Sequence, residues 1–311
     1  MMEHNRKVPL APHSSGVDLA VIIVNWNTRA LLAECLQSVY DTVHDLAYEV
    51  LVVDNASADD SVEMVRERFG SVRLIENDEN LGFARANNQA MAQSQAEYLL
   101  LLNSDAVLLP GALDYLVAFM RENPDVGAVG PRLLNADGST QPSCHPMLTP
   151  WREFWRLSFL DRVVPLAAYP FSLQDGVFPK SVDVLKGACM LLRRAALQEV
   201  GLFDEGYFMY TEEMDLCLRL TQAGWPLYWA PAARVIHYGG QSTAQIPEEM
   251  YIELYRSKMR FHSKFGGRRR ASYFRALLFS AYMPRYLWSR MTRDGDRARL
   301  YRQLLHELPR M

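Results

Sequence analysis

The chain has 311 residues, 49% of them hydrophobic and 22% charged, with 17 Gly and 16 Pro. That composition excludes collagen-like, coiled-coil and wholly disordered chains, and it suffices for one large α/β domain with an appendage. The formal net charge of -3 conceals a division: residues 251–311 carry 15 Lys+Arg against 4 Asp+Glu (+11), and the first 250 carry 18 against 32 (-14).

Residues 1–17 are polar, contain Pro9 and Pro12 and lack an apolar run, so they read as a disordered N-terminal segment rather than a secretory signal. Residues 19–24 form a continuous apolar run, fit for a strand buried on both faces. Thr28 then offers a cap to a helix whose Leu31, Leu32, Cys35, Leu36 and Val39 make one apolar stripe. Residues 50–53 predict a second buried strand, stopped by Asp54 and Asn55. Ser57 is placed to cap the next helix, with Val62, Val65 and Phe69 on its inner face. Residues 72–75 predict a third strand at the sheet edge, residues 84–93 a helix and residues 98–102 a fourth strand. Pro110 suits the first position of a helix running to Arg121. Repeated βα units of this length predict an α/β fold, a mostly parallel sheet with helices on both faces.

Residues 135–180, rich in Pro, Trp and Phe, read as a long functional loop region. A strand is expected over residues 182–192, a helix over 211–223 and an extended segment over 227–236. From Glu248 the pattern is helical and basic, broken near Gly266 and Gly267 and at Pro284. The chain thus divides into an α/β domain over 18–247 and a basic helical region over 248–311. The four cysteines, Cys35, Cys144, Cys189 and Cys217, are widely spaced without a CxxC pair. They read as buried, reduced thiols rather than a zinc ribbon or a disulfide framework. No apolar stretch approaches the roughly 18 residues of a membrane-spanning helix.

In an open parallel sheet, ligands bind beyond the carboxyl ends of the strands. There the chain offers Asn25, Trp26 and Asn27, then Asp54 and Asn55, then Asn103, Ser104 and Asp105. No GxGxxG follows the first strand and no GxxxxGK[ST] occurs, which argues against a dinucleotide dehydrogenase and a P-loop NTPase. Asp54 fits either a polar ligand or a turn that bonds its own backbone. Asp105 suits a hard cation or an ordinary strand-to-helix turn, and Mg²⁺ would need only one or two carboxylates besides phosphate and water. In the run from Asn80 to Asn88, Gly82 allows close backbone approach, and Arg85 and Asn88 share one face of a helix start. That is a natural diphosphate site, unless Arg85 pairs with a surface acid. Glu212, Glu213 and Asp215 follow the capping Thr211. The helix dipole accounts for acids there, but three in four positions exceed what capping requires. Asp215 is also spaced to pair with Arg219. One of the three is a candidate general base. His237 precedes a Gly pair and is either a metal ligand or a satisfied core histidine.

The segments IIVNWN (22–27), VVDNAS (52–57), NLGFARANN (80–88) and LNSD (102–105) stand in an order that resembles the family 2 inverting glycosyltransferases of GT-A fold. KGACMLLR (186–193), EEMDLCLR (212–219) and HYGGQST (237–243) continue it, and the bacterial rhamnosyltransferase-like branch is the most similar. The resemblance covers about residues 18–245. It implies that Val24, Asn25, Trp26 and Asp54 hold the base and ribose of a nucleotide, with Asn80, Gly82, Arg85, Asn88, Asn103 and Ser104 lining the donor site. Gly187 and Ala188 would touch the sugar or acceptor, together with residues 135–180. Asp105 would be the metal-binding acid of a DxD-like motif whose first position is Asn103, with His237 as a distant second ligand for Mg²⁺ or Mn²⁺. Glu213 falls at the base position, where Asp is more usual, so Glu212 and Asp215 stay open. At an ordinary pKa of about 4.3 such a base needs no upward shift to be ionised at neutral pH.

The implied reaction transfers a sugar, a rhamnose-like deoxyhexose favoured, from a dTDP- or UDP-linked donor to a glycan or lipid-linked saccharide in cell-surface polysaccharide synthesis. The implied location is the cytoplasm, with the basic tail on the anionic inner face of the membrane rather than on nucleic acid. The competing readings are a nucleotidyltransferase, which would open with a Gly-rich loop after the first strand, and a non-enzymatic protein binding membrane or nucleic acid through its tail.

Overall fold

The computed structural model describes residues 16–43, 46–160, 163–164 and 176–311. The segment expected to be disordered, apart from residues 16 and 17, lies outside the described residues, as does part of the 135–180 region.

The strands in chain order are β1 (Leu19–Asn25), β2 (Tyr48–Asp54), β3 (Arg73–Glu76), β4 (Tyr98–Asn103), β5 (Ala106–Leu108) and β6 (Ala128–Leu134). They continue with β7 (Thr140–Gln141), β8 (Cys144–His145), β9 (Lys180–Ser181), β10 (Val184–Leu185), β11 (Cys189–Arg193) and β12 (Leu227–His237). The helices are α1 (Arg29–Thr42), α2 (Ser61–Arg68), α3 (Phe83–Gln93), α4 (Ala112–Glu122) and α5 (Pro150–Leu157). After them come α6 (Arg194–Val200), α7 (Glu212–Gln222), α8 (Pro247–Met291) and α9 (Gly295–Glu307).

The main sheet runs β3-β2-β1-β4-β11-β6-β12-β5. Its first four strands are all parallel, β11 is antiparallel to both neighbours, and β12 returns parallel to β6. The unbroken apolar sequence of β1 follows from burial on both faces. Leu19, Val21 and Ile23 join the cluster under α1, α2 and α4, and Ala20 and Ile22 join the cluster under α3, α6 and α7. All four cysteines are buried in these layers.

Several local expectations shift. Thr28 precedes α1 without capping it, because its hydroxyl bonds Asn25 Oδ1 at 2.7 Å and Ser104 Oγ at 2.8 Å. Ser57 does not cap α2, which starts at Ser61; its hydroxyl accepts from Asn25 Nδ2 and the Asn27 amide instead. Pro110 precedes a left-handed Gly111, and the helix begins only at Ala112. The strand expected over 182–192 is two, β10 and β11, parted by Lys186, Gly187 and Ala188. In α8 the break falls at Gly267, with φ +65°, and the helix continues through Pro284. On either side of it, Leu277, Leu278 and Tyr282 share one buried cluster with Leu304 of α9 and with Leu308 just past that helix.

The basic C-terminal region is no detached appendage. Phe261 packs with Tyr207 and Leu148, Ser257 donates to the Met209 carbonyl, and Lys264 Nζ reaches Asp204 and Asp215 at 2.7 and 2.6 Å. Arg260 also pairs with Asp204, and Lys258 with Glu153. Part of the positive excess therefore neutralises acids of the body. Among the described residues no helix is long and apolar enough to cross a membrane.

Candidate active site

A cavity of about 450 Å³ opens beyond the carboxyl ends of β1 and β4. Val24 and Trp26 leave β1 into it, and Asn103, Ser104 and Asp105 leave β4. Asn80, Gly187, Ala188, Glu212, Glu213 and His237 complete the expected lining. Six expected residues do not line it. Asn25 and Asp54 lie beneath it, where Asn25 Nδ2 donates to Asp54 Oδ1 at 2.9 Å and the Ser57 amide to Asp54 Oδ2 at 2.8 Å. The Asp54 carboxylate thus closes a turn and tethers β1 to β2, as the simpler reading of its position had it.

Gly82 shapes the wall through its backbone. At φ +80° it sits where a Cβ would lie 2.3 Å from the Phe208 carbonyl oxygen, and the next amide, of Phe83, donates to that same oxygen at 2.7 Å. Arg85 is exposed and faces Glu205 at 3.7 Å, the surface pairing left open above. Asn88 is buried with its amide on the backbone of Phe203, donating at 3.0 Å and accepting at 3.1 Å. Both therefore face away from the cavity, towards the segment that leads into α7.

The third acid, Asp215, is fully buried and occupied. It accepts from Arg219 Nε and Lys264 Nζ, each at 2.6 Å, and from the Tyr207 hydroxyl at 3.2 Å. Arg219 in turn holds the carbonyls of Val200, Gly201 and Leu202. This network pins the start of α7, where Tyr210 and Thr211 adopt left-handed φ of +67° and +70°, rare for side-chain-bearing residues. Asp215→Ala would remove the buried carboxylate shared by the partly exposed Arg219 and Lys264, and an unfolding titration is expected to show a loss of about 1.5–3 kcal/mol, the scale of hydrogen bonds to a charged group.

Glu212 and Glu213 are placed differently. Among the described residues their Oε2 atoms are buried without a hydrogen-bond partner. Burial raises both carboxyls above the ordinary glutamate value; the neighbouring Glu213 charge adds to the rise at Glu212, while backbone amides and Lys186 restrain it at Glu213. The sequence reading required no shift of the base, but packing supplies one: two adjacent acids removed from water cannot both ionise freely. Between the ordinary glutamate range and the raised folded values, the folded chain keeps protons that the unfolded chain has released, so stability falls as pH rises through that window. Thermal unfolding of Glu212→Gln is expected to show a shallower decline than the parent as pH rises above the ordinary value of 4.5.

Asp105 and His237 meet although 132 positions apart in sequence, with His237 Nε2 3.4 Å from Asp105 Oδ1. Burial pushes the Asp105 carboxyl up, but the His237 hydrogen bond and charge and backbone amides outweigh it and hold the group below its ordinary value. Gln141 determines the imidazole tautomer. Its Nε2 donates to the carbonyl of His237 and to Asn135 Oδ1, so its Oε1 faces Lys186 Nζ at 2.9 Å and His237 Nδ1 at 2.7 Å. His237 Nδ1 therefore donates to Gln141 Oε1 and Nε2 is the ring nitrogen turned to Asp105; a divalent ion bound there would take the place of the Nε2 proton that bonds the carboxylate. One carboxylate and one imidazole fit a divalent ion that completes its shell with diphosphate oxygens and water. Among the described residues no cluster of three His, Cys, Asp or Glu could hold a metal by itself.

Sequence reasoning gave Gln141 no role, since a lone glutamine in a two-residue strand carries no signal. Lys186 was quoted within a motif but not as a site residue, yet it senses the charges of both Asp105 and Glu213. Asn55, Phe208, Tyr210, Ile246 and Met250 also line the cavity. Glu213 borders a second cavity as well, of about 400 Å³.

Comparison with known proteins bears on the family and the fold. The profile of glycosyl transferase family 2 matches residues 20–201. The N-acetylglucosaminyl-diphospho-decaprenol L-rhamnosyltransferase of Mycobacterium tuberculosis is 30% identical over 253 residues, covering 74% of this chain and 78% of that protein. The rhamnosyltransferase WbbL of Escherichia coli is 51% identical over 57 residues, 18% of this chain and 22% of its own length. Among solved structures, the mannosyltransferase PcManGT of Pyrobaculum calidifontis in complex with GDP-Man and Mn²⁺ superposes with a TM-score of 0.54 and 18% identity, covering 96% of this chain and 86% of that one. GalNAc-T7 with UDP, GalNAc and Mn²⁺ superposes equally well, at 0.54 and 17% identity, over 72% of this chain and 44% of that one. A parallel-sheet cavity lined by the matching motifs, and a profile match over more than half the chain, lead to one conclusion: the chain belongs to glycosyltransferase family 2.

Proposed function

We propose that this glycosyltransferase is an inverting, divalent-metal-dependent enzyme that moves a rhamnose-like deoxyhexose from a dTDP- or UDP-linked donor to a hydroxyl of a lipid-linked saccharide. Its place would be polysaccharide synthesis at the cytoplasmic face of a membrane. The observation that carries this reading is the single cavity joining Asp105 and His237 to Glu213, whose Oε2 has no hydrogen-bond partner among the described residues. The M. tuberculosis relative, whose name specifies rhamnosyl transfer to a diphospho-lipid, supports the sugar and the acceptor class.

Glu213 takes the proton of the acceptor hydroxyl as that oxygen forms its bond to the anomeric carbon. The bond from that carbon to the nucleotide diphosphate breaks on the opposite face, which inverts the centre. Mg²⁺ or Mn²⁺, held by Asp105 and His237, would supply charge neutralisation to the leaving diphosphate. Lys186, donating to Gln141 and flanked by the Asp105 and Glu213 charges, keeps a cation between the two functions. The aromatic walls of Trp26 and Phe208 suit a base and exclude water.

The reading is tested by incubating the chain with Mn²⁺, a panel of dTDP- and UDP-sugars and a GlcNAc-diphospho-lipid, followed by mass spectrometry of the products. Addition of one deoxyhexose is expected. No transfer and no donor hydrolysis across the panel would overturn it.

A further inference from the structure

The second cavity shares Glu213 with the first and is walled by α5, a helix with two unlike faces. Arg152, Glu153 and Arg156 turn into the cavity, at positions that share a helical face. Trp151, Phe154 and Trp155 lie on the other side as a ring cluster with centroids 5.4 and 5.7 Å from Trp151. Trp151 is 55% exposed, and beyond the helix Phe159 is 54% exposed with the Arg285 guanidinium 5.1 Å over its ring. Exposed aromatic rings interleaved with arginine are the signature of a helix lying in a membrane interface.

The charges inside the cavity are equally one-sided. Three cations, Arg152, Arg156 and Lys258, line it against two carboxylates, Glu153 and Glu213. Glu153 is already claimed, by Lys258 at 2.9 and 3.0 Å and by Arg156. Arg152 gives Nη1 to the Met147 carbonyl at 2.6 Å and has no carboxylate partner among the described residues. Burial and the Lys186 and Lys258 charges hold His145 neutral, its pKa pulled down to about 4. An anion entering here would meet a guanidinium fork suited to phosphate oxygens, a few residues from a helix face suited to lipid.

We infer that this second cavity receives the diphosphate of a polyprenyl-diphosphate-linked acceptor, with Arg152 as its principal contact and the rings of α5 in the lipid interface beside it. The inference rests on the glycosyltransferase reading above, with Glu213 as the base reached from both sides. The diphosphate is gripped at Arg152 while the sugar beyond it extends to Glu213. Specificity for a lipid-linked acceptor over a free saccharide then comes from binding remote from the reacting hydroxyl.

Calorimetric titration of the full chain tests this, with farnesyl diphosphate as the probe. Binding of dTDP or UDP with Mn²⁺ is measured first; if neither binds, the functional reading fails and this inference with it. With the first cavity saturated by nucleotide and Mn²⁺, farnesyl diphosphate is expected to bind without displacing it. Arg152→Ala should weaken that binding tenfold or more, and Arg152→Lys should restore part of it, which separates lost charge from a loosened helix. Inorganic diphosphate and farnesol should each bind more weakly than the joined molecule, and Trp151→Ser should narrow the gap between farnesyl and inorganic diphosphate. Displacement of nucleotide by farnesyl diphosphate would overturn the assignment while leaving the enzyme reading intact. Equal binding by parent and Arg152→Ala would do the same.

Discussion

Glu213→Gln is expected to cut sugar transfer by roughly 10²–10⁴-fold, the usual contribution of a positioned base, while nucleotide binding with Mn²⁺ stays within a factor of a few. The substitution keeps the side-chain length and removes only the ability to accept a proton. Single-turnover transfer and nucleotide titration on the same preparation separate the two effects. Turnover at the parent rate would remove Glu213 from the base role. Neither neighbour can readily replace it. Asp215 is fully buried among Arg219, Lys264 and Tyr207, and its oxygens have no route to an acceptor. Glu212 lines the first cavity alone, whereas Glu213 lines both. A base between a donor and an acceptor must reach both sides, and only Glu213 of the three does.

Asp105→Ala is expected to weaken Mn²⁺-dependent nucleotide binding more than any change around it. Removing the orienting Gln141 by Gln141→Leu should cost about 10–100-fold in metal affinity, the typical effect of losing a partner that fixes a histidine ligand. Loss of a direct ligand should exceed that. Gln141→Leu leaves Nδ1 of His237 without its 2.7 Å acceptor and frees Lys186 from its 2.9 Å bond, so imidazole tautomer and lysine position are both released. Titration of nucleotide with and without Mn²⁺ provides the check. Equal affinities in Asp105→Ala and parent would take Asp105 out of the site, and an unchanged Gln141→Leu would show that the tautomer is held by other means.

The strands and most helices were legible because their signals are local. A run such as 19–24 shows its two-sided burial in its own composition, and the stripe of α1 repeats within a few residues. The cavity residues that follow β1 and β4 were legible for a related reason, since parallel strands deliver their carboxyl ends to one edge. Other features were not. Ser57 and Thr28 have the composition of helix caps, yet tertiary partners at the site, Asn25 and Ser104, claim their hydroxyls. Arg85 and Asn88 follow the spacing of an anion site, but Arg85 faces Glu205 and Asn88 bonds the Phe203 backbone.

The α/β alternation and the family motifs stand in the residues themselves, because residue type and short spacing carry that information, and Asp105, His237 and Glu213 became candidates through the resemblance those motifs imply. Tertiary packing alone reveals that Asp215 is engaged in ion pairs while Glu212 and Glu213 keep unpartnered oxygens, that Gln141 faces the histidine, and where the basic region spends its charge. Those outcomes depend on contacts such as Asn103 with His237, 134 residues apart, and Lys264 with Asp215, 49 apart. A buried acid becomes a structural ion pair or an available base according to the cations that packing brings beside it, and no local pattern records that packing.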